Sequence, residues 1–270
     1  MKSVLLHIHR DHGQEARLQA ALDIVRTFDG HLTCLQATPF ETYIIGDPFG
    51  GVYALPQMIA EIRKGEEAER RTIEDRLKRE GVSWDWLSYD GSAAKVLADN
   101  SWLADLAIVS VLTDKSESGR TPPIAADVVL HARAPVLVVP DEATGFDCSA
   151  GAMIAWNGSR ESSQALRAAL PLLRMADAVT VICVAEEQSK GLPPTAAATF
   201  LSRHGVACNL VEQPREHRSV ADTLRAAISA GGPGYLVMGA FGHSRLRERV
   251  LGGVTHDLLA NPPKPLLLAH

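Results

Sequence analysis

The sequence predicts an α/β protein made of two tandem, open, doubly wound parallel-sheet units. Three observations lead there. At 270 residues the chain is long enough for two domains of ordinary size. It repeats itself: shifted by 148 positions, AALDIVRTFDGHLTCL at 20–35 falls on AALPLLRMADAVTVIC at 168–183. Ala20, Ala21, Leu22, Arg26 and Asp29 then meet Ala168, Ala169, Leu170, Arg174 and Asp177. Its apolar runs, such as LAIVSV and VTVICV, are continuous, as strands read when helices cover both faces of a parallel sheet.

The elements follow in order. SVLLHIH (3–9), LTCLQAT (32–38), WDWLSYD (84–90), LAIVSV (106–111) and APVLVV (134–139) are the strands of the first half. A long helix from Pro56 to Arg79, dense in Glu, Arg and Lys, precedes the third strand and presents a solvated face. Pro39 to Leu55, with Gly46, Gly50 and Gly51, reads as a loop. In the second half AMIAWN (152–157), VTVICVAE (179–186), VACNLVEQ (206–213), YLVMGA (235–240) and PLLLAH (265–270) are strands. They alternate with helices over 159–175, 192–204, 218–231 and 252–260. A second register, shifted by 130, sets Asp127 on Asp257 and Pro135 on Pro265. The polar stretch PDEATGFDCSAG at 140–151 marks the boundary, giving domains over 1–143 and 149–270.

Composition narrows the class. Apolar residues make up 46% and charged residues 22%, a globular balance. A net charge of −5 argues against a nucleic-acid or anionic-membrane surface, which needs clustered basic excess. Cys34, Cys148, Cys183 and Cys208 form no CxxC pair and read as reduced thiols. No leader and no membrane-length apolar run is visible, so a cytoplasmic protein is expected.

The strongest local signal is MGAFGHSRLRERVLGGVT at 238–255, directly after a strand. Glycine lets backbone N–H groups approach phosphate oxygens, and a helix start adds unpaired donors. The same glycines could serve only as turn formers. Two glycine pairs with a helix start behind the second favour a phosphate cradle, with Ser244 and Thr255 as hydroxyl donors. There is neither a Walker A loop nor GxGxxG.

At this loop the second half resembles the universal stress protein family, whose nucleotide signature is G-x-x-G, nine residues, then G-[S/T]. Gly239-Ala240-Phe241-Gly242, His243 to Leu251, and Gly252 fit that spacing. Gly253 replaces the usual hydroxyl residue, and Asn157 stands where the family has a ribose-binding Asp. The resemblance implies an ATP site, with magnesium as a companion ion, at Ala155, Asn157, Val184, Met238, Gly239, Gly242, His243, Gly252, Gly253, Val254 and Thr255. It also implies that the last strands of the halves, APVLVV and PLLLAH, pair antiparallel as a pseudo-dimer. A homodimer and an unidentified protein partner are further expectations.

The first copy departs from this pattern. Pro122 and Pro123 fall opposite Gly252 and Gly253, and proline has no N–H. Ser110 and Thr113 fall opposite Gly239 and Gly242, and His9 opposite Asn157. Triphosphate binding is therefore expected in the C-terminal half only. His7, His9 and His12 admit a metal or a vestigial pocket, and the pocket is preferred because partner ligands are not evident. Arg245, Arg247 and Arg249 read as phosphate contacts or a solvated face. Trp84 and Trp86 read as core or interface, and Ser159 as a helix cap. The main functional expectation is a non-enzymatic, ATP-binding stress-response protein. The alternatives are a slow ATPase or adenylate-transferring enzyme, for which Glu248 and Asp257 are the carboxylates weighed, and a scaffold that has lost nucleotide binding.

Overall fold

The computed structural model describes residues 1–38, 45–46, 52–53, 56–111, 124–185, 191–215, 218–242 and 253–270. The first half runs β1 (Ser3–Ile8), α1 (Gln14–Phe28), β2 (His31–Thr38), β3 (Ile45–Gly46), β4 (Val52–Tyr53), α2 (Pro56–Glu80), β5 (Ser83–Asp90), α3 (Ala93–Asn100), β6 (Leu106–Ser110), α4 (Ile124–His131) and β7 (Val136–Val139). The second runs β8 (Ala152–Ala155), α5 (Arg160–Leu173), β9 (Val179–Val184), α6 (Pro194–Arg203), β10 (Asn209–Gln213), α7 (Val220–Gly231), β11 (Tyr235–Gly239), α8 (Val254–Ala260) and β12 (Leu266–Ala269).

Ten strands form one sheet, in the order β10-β9-β8-β11-β12-β7-β6-β1-β2-β5. All neighbours are parallel except β12 and β7, which pair antiparallel with Leu266 on Val138, Leu267 on Leu137 and Leu268 on Val136. The two doubly wound units expected from the repeat are thus fused through their last strands. Each shields an edge that would otherwise be unpaired. Within the Pro39–Leu55 stretch the structure shows a two-rung antiparallel ladder, Ile45 on Tyr53 and Gly46 on Val52. The rest of that stretch lies outside the described residues.

Apolar residues fill both faces of the sheet. One core packs α1, α2, α5 and α6 on one face, with Leu22, Leu77, Leu172 and Leu201 fully buried. The other packs α3, α4, α7 and α8, with Leu97, Val128, Leu224 and Leu258. On α2, Ile73 and Leu77 are buried, while Arg70–Glu74 (2.6 Å) and Lys78–Asp75 (3.1 Å) bridge along its outer surface. Trp84 and Trp86 are half-buried on β5, with the Arg70 guanidinium 5.4 Å from the Trp86 ring.

Helix ends follow local chemistry. The Ser159 hydroxyl accepts from Ser162 N (3.1 Å) and caps α5, while Ser219 accepts from Asp222 N (3.0 Å) and caps α7. Gly232 closes α7 with a left-handed backbone at φ 59°. In the segment joining the halves, Phe146 N donates to Asp23 Oδ2 (3.0 Å) and Phe146 and Cys148 are buried. No disulfide joins the cysteines, and burial pushes the Cys34 thiol up to about 12. Among the described residues no helix is long and apolar enough to cross a membrane.

Candidate functional site

The strand order reverses at β8: the chain leaves it for β9 on one side and later returns to β11 on the other. Crossovers that diverge leave a crevice at the carboxyl ends of the two strands, where open α/β sheets bind ligands. A cleft of about 130 Å³ opens there. Ala155, Asn157, Val184, Met238, Gly239, Gly242, Val254 and Thr255 line it together with Trp156, Ser159, Glu161 and Phe241. Residues from β8, β9, β11 and α8, up to 100 positions apart in sequence, therefore meet in one place. Gly253 is the N-cap of α8, at φ −63° and ψ 153°. His243 and Gly252 lie outside the described residues, as do Ser244, Arg245, Arg247, Glu248 and Arg249.

Several polar groups of this cleft are already engaged. Ala240 N donates to Ala269 O (2.9 Å), and Phe241 N to the Thr255 hydroxyl (3.3 Å). Thr255 is buried, so its oxygen braces the turn after β11 while its hydroxyl hydrogen remains a donor. Phe241 sits at φ 55°, an uncommon conformation for an aromatic residue and the kind of local strain seen at ligand sites. Asn157 Oδ1 accepts from Ser159 N (3.1 Å), which fixes the amide at the entrance to α5.

The two glycines of the G-x-x-G turn have a role that the spacing alone does not show. A Cβ on Gly239 would stand 2.5 Å from the Glu161 carbonyl carbon and 2.8 Å from the Glu161 Cβ. A Cβ on Gly242 would stand 2.6 Å from Glu161 Oε2. Both glycines therefore make room for the first turn of α5, with the Glu161 side chain lying across them. Glu161 is the cleft residue that the sequence reading missed, because only carboxylates after the glycine loop were weighed. Its place four residues beyond Asn157, in the first turn of α5, is the signal that could have found it.

Below the cleft the backbone folds into a clasp. Gly158 has φ 74°, and a side chain there would run into the backbone of Gly191 and Leu192. Leu192 N donates to Gly158 O (3.0 Å), and the Trp156 indole N–H to Leu192 O (3.0 Å). The end of β8 is thereby held against the approach to α6.

The equivalent crevice of the first half, between β1 and β6, is built differently. Arg17 is fully buried. Its Nε donates to His7 O (2.8 Å), its Nη1 to Asp11 Oδ1 (2.7 Å) and its Nη2 to His9 O. His7, opposite Ala155 in the repeat, is buried with neither ring nitrogen hydrogen-bonded, and its ring stacks on His9 at 5.9 Å. Burial, with Arg17 and His9 adding to it, holds the His7 imidazole well below its ordinary range, so the ring is neutral. Ser110 Oγ donates to Gly13 O (3.3 Å), and the Asp141 carboxylate faces the same spot. Burial, with the neighbouring Asp11, raises Asp141. Among the described residues no group of three or more metal-ligating side chains gathers. Pro122, Pro123 and Thr113, which carried the argument for a silent first copy, lie outside the described residues.

The family model described as Universal stress protein family matches residues 152–270. The second half belongs to the universal stress protein family. Its likeness in fold extends over the whole chain. A universal stress protein from Archaeoglobus fulgidus DSM 4304 superposes with a TM-score of 0.78 at 12% identity, covering 99% of this chain and 96% of its own. A putative universal stress protein from Pseudomonas aeruginosa UCBPP-PA14 gives 0.61 at 17% identity, covering 100% of this chain and 93% of its own. No protein of curated function matches the chain in sequence. The chain is thus a tandem universal stress protein fold whose two halves share strand order and differ at their crevices.

Proposed function

We propose that the C-terminal half is an adenine-nucleotide-binding regulatory module, that ATP is its ligand, and that the N-terminal half does not take a triphosphate. One observation carries the reading. Eight residues that the family resemblance implies converge on a single cleft at the strand-order reversal, although they come from separate elements. Gly242 lines it, and Gly253 caps the helix whose first residues, Val254 and Thr255, line it too; backbone N–H groups there suit phosphate oxygens. The first half supports the asymmetry by its own chemistry. A neutral imidazole fills the position of Ala155, and the Asp141 carboxylate faces the end of β6, where a phosphate chain would meet repulsion.

Occupancy would change the surface offered to a protein partner. Asp257 does not favour the hydrolytic alternative: it sits within α8 outside the cleft lining, its carboxylate beside the His256 ring at 4.0 Å. The test is calorimetric titration of ATP into the full chain, with a phosphate-release assay alongside. Binding without turnover is the expected result. It is abolished by Gly242→Val, which sets a side chain against the Glu161 carboxylate, and it is unaffected by changes at Pro122. No heat at millimolar ATP with magnesium present would sink the reading, and an affinity altered at Pro122 would sink the asymmetry.

A further inference from the structure

The cleft holds a carboxylate that the glycine signature does not anticipate. Glu161 lies across the G-x-x-G turn, its Oε2 2.6 Å from where a Gly242 Cβ would be, and it lines the same cavity as Thr255 and Val254. Among the described residues it forms no ion pair. A phosphate chain laid along Gly242 and the start of α8 would pass this group. Like charges at a few ångströms in a partly enclosed site repel strongly, and each added phosphate charge adds to the repulsion. A divalent cation reverses the sign, since magnesium is typically held by one or two carboxylates together with substrate phosphates. A single carboxylate beside a phosphate path fits that donor set.

We infer that Glu161 makes this site select its ligand by charge: adenosine and its monophosphate enter unaided, and the triphosphate enters only as its divalent-cation complex. This rests on the adenine-nucleotide reading above. It adds a specificity determinant that belongs to this chain's own α5, and it predicts an order of affinities that glycine spacing alone would not. A bare phosphate cradle favours the ligand with the most phosphate; a cradle with a carboxylate across it favours the least, until a cation is supplied.

The test is calorimetry with adenosine, AMP and ATP, each in EDTA and in magnesium, on the full chain and on Glu161→Gln and Glu161→Asp. For the unsubstituted protein in EDTA, ATP is expected to bind at least about tenfold more weakly than adenosine, a difference of about 1.4 kcal/mol. Magnesium closes that gap. Glu161→Gln closes it in EDTA and leaves adenosine within about twofold, while Glu161→Asp, which keeps the charge, retains the discrimination. ATP binding as tightly as adenosine in EDTA, or an ATP-to-adenosine ratio untouched by Glu161→Gln in a protein that melts normally, overturns the inference and leaves the nucleotide reading standing. Absence of binding by all three ligands under both conditions overturns that reading and this inference with it.

Discussion

The backbone of Glu161 comes so close to Gly239 that a Cβ there would stand 2.5 Å from the Glu161 carbonyl carbon. The first half solves the same packing problem from the other side. Ser110 takes the place of Gly239, and the glycine is on the helix: a Cβ on Gly13 would stand 2.7 Å from Ser110 Oγ. In both copies the end of a central strand meets the start of the next helix, and one partner must lack a side chain.

Gly239→Ala is therefore expected to lower the melting temperature of the ligand-free protein, and Gly13→Ala to do the same. Forcing a methyl group against rigid backbone or a packed neighbour typically costs about 1–3 kcal/mol. Differential scanning calorimetry without nucleotide decides the point. A Gly239→Ala protein that melts normally would mean that the glycine serves only the ligand.

Gly158 and Gly232 separate two reasons for glycine. Both have positive φ, 74° and 59°, but only Gly158 faces backbone, whereas a side chain on Gly232 would meet open space. Gly232→Ala should cost about 1–2 kcal/mol, the left-handed penalty alone. Gly158→Ala should cost clearly more, because the clasp with Gly191 and Leu192 must open. Urea denaturation of the two variants side by side measures the difference, and equal losses would remove the clasp from the account.

Arg17 anchors the first crevice. Replacing it with Met would leave the carbonyls of His7 and His9 without their donor and Asp11 without its cation. Breaking one partner of a buried charged network costs about 3–5 kcal/mol, a large share of the stability of an ordinary domain. Chemical denaturation of Arg17→Met should show that loss. A change below about 1 kcal/mol, the size of a surface pair, would show that the network carries little.

His7 predicts a pH dependence. Its folded-state pKa is lowered, so below the ordinary imidazole range the unfolded chain takes up a proton that the folded chain refuses. Its contribution is fully present above about pH 6.5 and is lost as the pH falls below that, by up to about 1.4 kcal/mol per unit. The stability difference between the parent protein and His7→Ala, which restores the residue type of the other copy, should narrow or reverse between pH 7 and pH 5. A constant difference across that range would contradict a buried neutral imidazole.

How much was legible in the sequence differs by level. The repeat at 148 positions, the continuous apolar strands and the cap at Ser159 were local signals, and the elements follow them within a few residues: the helix expected over 159–175 runs Arg160–Leu173. The antiparallel joining of the two halves was implied by resemblance and appears as the β12–β7 pair. The family resemblance also brought out most of the cleft lining, which the pairing of β8 with β11 gathers in one place.

Glu161, Arg17 and the swapped glycines could not be read in this way. Their roles depend on how closely a helix start approaches a strand end, on which partner gives up its side chain, and on where a carboxylate then lies. Sequence by itself determined the periodicity, the duplication and the glycine turn, since these are properties of neighbours along the chain. Only the tertiary structure decided what those glycines accommodate and why the two crevices differ. Steric exclusion and charge burial act between residues that are distant in sequence and close in space.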